Sequence, residues 1–496
     1  MRQLTSLDAQ FLAMETPRTW GHVSGLAILD PSTAPGGHLT LDDICKVVSR
    51  RLHLLPPFRW RLVWVPFGLD HPYWIEDPDF DLDFHIRDSA VPPPGDDRQL
   101  AETVSRIVAR PLDRRRPLWE LYLIHGLQSG HVAMLTKIHH AAVDGVSGAE
   151  ITGTLLDLEP SGRELPPAPS REPGERKPGQ FEMLGRGLLG APRQPVRAAL
   201  ALPQMVTNLG GLPGIDLVPG VPTIGRAVAR ARRVVSGSRD GEVLEQTTSP
   251  PPRTRFNARV SPHRRYSFGQ LSLDRIKAIK NELGITVNDV VVALSASALR
   301  SWLLERDELP DDPLVAMVPV SVRTQEQMGT FGNRVSAMFA PIPTDEPDPV
   351  QRLMRAHDIL KVAKDRHRAL PATLLQDATQ FIPPAVFARA TRVVTQLAAS
   401  PQVRPALNLV ISNVPGPRVP LYCGGAELVA NYPVSVIADG VGLNITCMSY
   451  LDHVDFGIVV DREQVDDAWP LMDGLHAALE EFDQIVCGGS RPKAVR

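Results

Sequence analysis

His139-His140-Ala141-Ala142-Val143-Asp144-Gly145 gathers two imidazoles, a carboxylate and a glycine within seven residues. A neutral imidazole is a proton acceptor near neutral pH, because unperturbed histidine titrates at about 6.5. In the preceding run, His131 to Ile138, the residues Val132, Met134, Thr136 and Ile138 fall at alternate positions, the period of a strand. Successive strand side chains point to opposite faces, so His139 and His140 diverge, one toward a cavity and the other into the scaffold. Asp144 could orient a ring or hold the loop, and Gly145 lets backbone or substrate come close. The stretch is a candidate general-base site.

Three other readings compete with it. A histidine pair at a strand end can be a satisfied core or surface feature. A metal site needs about three protein ligands, and the chain has no HExxH, no CxxC and no second histidine cluster. A His-Asp pair serving a nucleophilic serine or cysteine calls for an elbow such as GxSxG, which the sequence lacks. Direct base catalysis on a bound hydroxyl is the simplest chemistry left.

Such a site needs rigid elements around it. Trp119 to Leu127 and His131 to His140 are strand-like runs separated by Gln128-Ser129-Gly130, so a hairpin delivers the histidines to one sheet end, and Val146 to Leu158 follows as a helix. Pro117-Leu118-Trp119-Glu120 enters the first strand of that hairpin, where packing on an edge strand is the plain structural reading of the tryptophan. Upstream, the spacing predicts helices over Leu4 to Met14, Leu41 to Leu55 and Leu100 to Ala109, and strands over His22 to Leu29 and Arg59 to Val65. Downstream, Arg264 to Phe268 reads as a strand and Ser272 to Leu283 as a helix capped by Ser272 with Gly284 beyond its end. Thr286 to Leu304 reads as a long buried helix, with Thr286 and Asp289 forming a variant capping box. Strand-like runs follow at Leu314 to Val322, Arg334 to Ile342, Leu407 to Ile411, Val434 to Ile437, Gly442 to Tyr450 and Val454 to Val460, with Ala468 to Phe482 as a closing helix. Arg323, at the end of one run, is a candidate partner for Asp144 or for a phosphate, against the plain reading of a surface arginine.

Composition bounds the whole. At 496 residues the chain exceeds the size at which single cores stop growing, and 43% hydrophobic with 22% charged residues describes a globular protein. A net charge of -3 and the lack of a basic stripe interleaved with aromatics argue against a nucleic-acid partner. Cys45, Cys423, Cys447 and Cys487 are scattered without metal or redox spacing, as suits a reducing cytosol. Met1 to Pro17 lacks the apolar core of a secretory signal, and no window holds about 18 uninterrupted apolar residues. Residues 1-160 and 256-496 read as two α/β units joined by a Pro/Gly/Arg-rich linker or crossover, 161-255. Within it, Met183 to Ser238 holds seven arginines and one acidic residue among apolar neighbours, either a membrane-facing segment or a lightly packed crossover.

The seven-residue stretch matches the HHxxxDG motif shared by coenzyme A-dependent acyltransferases and peptide-synthetase condensation domains. With Ser6-Leu7-Asp8-Ala9, Pro111-Leu112-Asp113-Arg114, Pro117-Leu118-Trp119-Glu120, Asn288-Asp289 and Ser412-Asn413-Val414-Pro415-Gly416-Pro417, the chain resembles bacterial wax ester synthase/diacylglycerol acyltransferases, in particular their triacylglycerol synthase branch. The resemblance implies two chloramphenicol-acetyltransferase-like α/β subdomains of mostly antiparallel mixed sheets, with a tunnel at their interface. It implies His140 as general base, His139 as scaffold, Asp144 fixing the loop by pairing with an arginine, and Gly145 allowing close approach. Pro117, Leu118 and Trp119 are implied at the acyl acceptor, and Asn288 beside the substrate with Asp289 largely structural. No metal or cofactor is implied: acyl-CoA is a substrate, and diacylglycerol is the acceptor. A long-chain alcohol giving a wax ester, a catalytically silent lipid-binding homologue and a condensation module are the alternatives. Any contact with lipid is expected to be peripheral, and the expected place is the cytoplasm, at the inner face of the plasma membrane or at lipid droplets.

Overall fold

The computed structural model describes residues 1–143, 148–167, 178–190, 250–321, 335–369 and 399–488. Fifteen strands among them form three sheets. In chain order they are β1 (Arg2–Gln3), β2 (His22–Asp30), β3 (Trp60–Val63), β4 (Tyr73–Glu76), β5 (Ile86–Ala90), β6 (Trp119–His125), β7 (Val132–His139), β8 (Arg264–Ser272) and β9 (Leu314–Ser321). There follow β10 (Val335–Ile342), β11 (Leu409–Val414), β12 (Tyr422–Cys423), β13 (Ala426–Val434), β14 (Leu443–Tyr450) and β15 (His453–Asp461). One six-stranded sheet runs β12-β13-β2-β7-β6-β5, a second runs β10-β9-β11-β14-β15-β8, and a small one runs β1-β4-β3. Pairing is antiparallel except for β5 with β6 and for β11 with both β9 and β14.

Strand periodicity divides the side chains of β7 between two cores. Val132, Met134 and Ile138 join Ile44, Val48, Ile151 and Leu155 on one face, against the helices Leu41–Arg51 and Gly148–Leu155. Ala133 and Leu135 face the other way, into a cluster with Leu26 and Ile124 that also contains Phe268 and Val459 of the second sheet. Each aliphatic side chain so buried stabilises the fold by roughly 1.5–3 kcal/mol, and this middle cluster ties the two halves together. The second sheet is covered by the helices Leu273–Leu283, Val287–Leu304, Pro349–Ala369 and Trp469–Cys487. Val287–Leu304 is the one helix among the described residues long and apolar enough to cross a membrane, and most of it is buried in this core.

The hairpin β6–β7 pairs Trp119 with Ile138 and turns through Gly130 at φ 79°. The first sheet is not built from residues 1-160 alone, because β13 from the far end of the chain pairs with β2 over Val434–Glu427 against Ser24–Asp30. The strand expected at Val434 to Ile437 lies earlier, at Ala426–Val434. The helix expected over Leu41 to Leu55 keeps α-geometry only to Arg51, before prolines at 56 and 57. Most of the segment 161-255 lies outside the described residues; within it Gln180–Gly190 is helical.

Candidate active site

Sheet register places the two histidines. β7 ends at His139, opposite His22 of β2, and His140 begins the single helical turn His140–Val143. The His139 amide donates to the Leu118 carbonyl at 3.0 Å and the His140 amide to the Gly21 carbonyl at 2.8 Å, so the pair is fixed on both sides by backbone.

The rings diverge as strand geometry requires. His139 is 1% exposed and bonded at both nitrogens. The Ala141 amide donates to Nδ1 at 3.0 Å, so Nδ1 carries a lone pair and Nε2 holds the proton, which it donates to Oε1 of Glu15 at 3.1 Å. Glu15 also accepts from the Gly21 amide at 2.7 Å and from Arg114 Nε at 3.0 Å, with a second, shorter contact to the Arg114 terminal nitrogen. Arg114 in turn donates to the Leu12 carbonyl at 2.8 Å. Burial alone would raise the Glu15 pKa, but the His139 hydrogen bond, the Arg114 charge and the Gly21 amide outweigh it and bring it down to about 2. Glu15 is thus an anion clamped between an imidazole N–H and a guanidinium.

His140 has a different surround. Its ring stacks on Phe11 at 4.5 Å between centroids and 10° between planes. The residue is half-buried and keeps accessible surface. Burial, with a smaller contribution from His139, lowers its pKa from 6.5 to about 4, so the ring is neutral at pH 7. A neutral imidazole in a desolvated site is suited to accept a proton from a bound hydroxyl.

Phe11 and Glu15 come from the helix Ser6–Met14 and the residue after it. Thr5 and Asp8 close a capping box at that helix's start, so the Ser6-Leu7-Asp8-Ala9 stretch holds in place the element that covers the catalytic candidate. Gly21 has a spatial reason to be glycine: a Cβ there would lie 2.8 Å from His139 Nε2. Two positions from His139 on the same face, Lys137 is fully buried, with Nζ donating to the Arg110 carbonyl at 2.6 Å and lying 3.4 Å from Glu120.

The other expected site residues separate into groups. Leu118 lends its carbonyl to His139, while Trp119 is 2% exposed, donates from Nε1 to the Phe58 carbonyl at 2.8 Å and is flanked by the rings of Phe58 and His85. Its strand is an inner one, between β5 and β7, so the edge-strand reading does not hold. Pro117 is buried beside it. Asp289 is 1% exposed; Oδ2 accepts from the Thr286 amide and lies 2.8 Å from His357 Nδ1, and Lys364 is 3.9 Å from Oδ1. Asn288 meets Asn413 at 3.5 Å, which brings the Asn288-Asp289 and Ser412-to-Pro417 stretches together. No direct hydrogen bond or ion pair among the described residues joins that pair to the histidines. Asp144, Gly145 and Arg323 lie outside the described residues. Among the described residues no three His, Cys, Asp or Glu side chains cluster as metal ligands would.

Glu15, Arg114 and Phe11 are site residues that motif reading did not single out. Arg114 lies within a quoted stretch, but Glu15 is 124 residues from its histidine and carries no local signal.

Comparison with known proteins places this arrangement. Residues 4–291 match the model of the wax ester synthase/diacylglycerol acyltransferase catalytic domain, and residues 331–483 match the C-terminal domain of the same family. A Mycobacterium tuberculosis protein provisionally named diacylglycerol O-acyltransferase is 37% identical over 99% of this chain and 92% of its own length. A Mycobacterium bovis protein of the same provisional name is 35% identical over 97% and 98%. Among solved structures, the wax ester synthase/diacylglycerol acyltransferase of Marinobacter aquaeolei VT8 is 30% identical with a TM-score of 0.67, covering 98% of this chain and all of that one. The first condensation domain of the calcium-dependent antibiotic synthetase shares the fold at 15% identity and a TM-score of 0.53, over 100% and 99% of the two chains.

Proposed function

The chain belongs to the wax ester synthase/diacylglycerol acyltransferase family, and from that premise we propose that it transfers the acyl group of acyl-CoA to the hydroxyl of diacylglycerol, making triacylglycerol. The observation that carries this reading is the His140 ring: neutral, stacked on Phe11, and placed by a second histidine locked onto Glu15.

In the proposed reaction the free nitrogen of His140 takes the hydroxyl proton as the alcohol oxygen attacks the thioester carbonyl. The carbon–sulfur bond then breaks, and the protonated ring returns the proton to the departing thiolate of coenzyme A. Transfer is direct, with no acyl-enzyme, and acyl-CoA is consumed as a substrate. General base action of this kind is worth roughly 10²–10⁴ in rate. Exclusion of water matters alongside it, since water attacking the thioester gives only hydrolysis.

Wax ester formation is the second reading, supported by the dual name of the Marinobacter relative. Purified protein given labelled palmitoyl-CoA with either diacylglycerol or hexadecanol separates the two by product. Triacylglycerol from wild type, with turnover at least 100-fold lower in a folded His140→Ala variant, is the expected result. Wax ester alone supports the second reading, and acyl-CoA retention without product supports a silent binding protein. The proposal places the protein peripherally at a cytoplasmic lipid surface, through the basic and apolar segment Met183 to Ser238. Salt-sensitive sedimentation with anionic liposomes is expected, and sedimentation unchanged on deleting the segment argues against that role.

A further inference from the structure

A general base works only while its ring is held toward the proton it takes, and a third group, often a carboxylate on the far ring nitrogen, ordinarily does the holding. Beside His140 the carboxylate is spent on the neighbouring ring: Glu15 accepts from His139 Nε2. Among the described residues neither ring nitrogen of His140 makes a hydrogen bond or an ion pair. What meets the ring is the face of Phe11, at 4.5 Å between centroids and 10° between planes. A parallel stack is one of the geometries aromatic pairs prefer, and it fixes the plane of both rings, which loose apolar contact does not.

Phe11 and Glu15 stand four residues apart at the end of the helix Ser6–Met14, one turn from each other on the same side. One meets His140 and the other His139. The helix is pinned along its length. Thr5 and Asp8 close its start, the Leu4 amide donates to the Pro72 carbonyl at 2.9 Å, the Leu12 carbonyl accepts from Arg114 at 2.8 Å, and Leu4 and Leu12 are buried in the first core. Gly21 lets the two sides close up: a Cβ there would fall 3.2 Å from the Phe11 carbonyl oxygen as well as against the His139 ring. The backbone that carries Phe11 is thus set firmly against the histidine turn.

We propose that Phe11 is a positioning residue for His140, its ring holding the imidazole in the plane from which the free nitrogen meets the acceptor hydroxyl; the role rests on the acyl-transfer reading. The χ2 wells of an imidazole are broad, so a ring without hydrogen bonds swings readily and takes its nitrogen off line. Lying parallel to it, Phe11 blocks that swing. Phe11 acts through the imidazole and takes no part in bond making. The plain alternative is that Phe11 fills apolar space between helix and turn, and then any apolar side chain of similar size serves.

The test compares wild type with Phe11→Leu and Phe11→Met, which keep an apolar side chain and lose the flat face, and with Phe11→Tyr, which keeps it. Circular dichroism checks each fold, and the methionine variant stands in if the leucine one does not fold. Two readouts are taken: kcat and KM with palmitoyl-CoA and diacylglycerol, and the rates at which diethyl pyrocarbonate carbethoxylates His140 and His139 at pH 7, resolved by mass spectrometry of the peptide. The reagent attacks neutral imidazole, so its rate at His140 reads how freely that ring leaves its stack, and His139 reports whether the whole helix has shifted. The expected result is kcat lowered roughly 10- to 100-fold with both KM values within about twofold of wild type. His140 is then labelled several-fold faster, His139 stays protected, and Phe11→Tyr recovers most of kcat. Loss of turnover with His140 labelling unchanged, labelling of both histidines together, a tyrosine variant as impaired as the leucine one, or full activity in the leucine and methionine variants overturns the inference. If wild type forms no ester, the proposed reaction falls, and the labelling rates alone decide whether Phe11 holds the ring.

Discussion

At the scale of single residues, two neighbouring histidines of one motif have different surroundings. His139 is spent on hydrogen bonds at both nitrogens, while burial keeps His140, stacked on Phe11, neutral. The divergence is legible in the sequence from strand alternation alone. The partner that fixes His139 is not, because the link to Glu15 spans 124 residues and only folding brings it about. Glu15 gives a prediction with a definite sign. Its pKa is near 2 in the folded protein and near 4.5 unfolded, so its contribution is complete above pH 4.5 and is lost as pH falls toward 2. The shift corresponds to about 3 kcal/mol at neutral pH. Glu15→Gln should lose about 1–3 kcal/mol in urea unfolding at pH 7, flatten the acid side of the stability profile, and cut kcat roughly tenfold or more through the loosened His139. A variant as stable and as active as wild type would show that the clamp is idle.

At the scale of elements, helix starts are the best-read features. Thr286 and Asp289 form the capping box expected of them, and Asp289 additionally lies 2.8 Å from His357. Thr286→Ala should cost about 1 kcal/mol in thermal or urea unfolding, with little change in KM for either substrate. A neutral effect on stability would mean that packing alone sets the start of the helix. β13 departs from the sequence pattern for identifiable reasons. Its register slips between Leu428 and Ala430, which breaks the period-2 signal, and it contains Pro433, a residue that argues against strand. Pro433 is tolerated because β12 pairs only with Ala426 and Glu427, leaving that side of β13 free of a ladder further on. The apolar run from Val434, which has the better alternation, follows the strand instead of forming it.

At the scale of the molecule, the two α/β halves expected from length and alternation are interlocked. β13 lies in the first sheet and touches β15 of the second, and the Asn431 amide donates to buried Asp455 at 2.6 Å. Burial raises the Asp455 pKa to about 6, with the Asn431 amide pulling the other way. Strand pairing over hundreds of residues leaves no mark in local composition, which is why the crossing could not be read in advance. At Gly457 the sheets approach closely: a Cβ there would meet the Pro433 carbonyl oxygen at 1.8 Å. Gly457→Ala should therefore destabilise the whole protein by about 1–3 kcal/mol, shifting tryptophan fluorescence and circular dichroism transitions together. Two separated transitions, only one of them moved by the substitution, would show that the halves fold independently.

The central claim is that a neutral His140 takes the proton of the acceptor hydroxyl, and the pH dependence of kcat/KM with palmitoyl-CoA and diacylglycerol tests it most directly. Protonated His140 cannot act as the base, so activity should fall as pH drops through the folded pKa, with an acid limb near 4 and a plateau through neutrality. A limb centred near 6.5, or a His140→Ala variant with wild-type turnover across the range, would contradict the account.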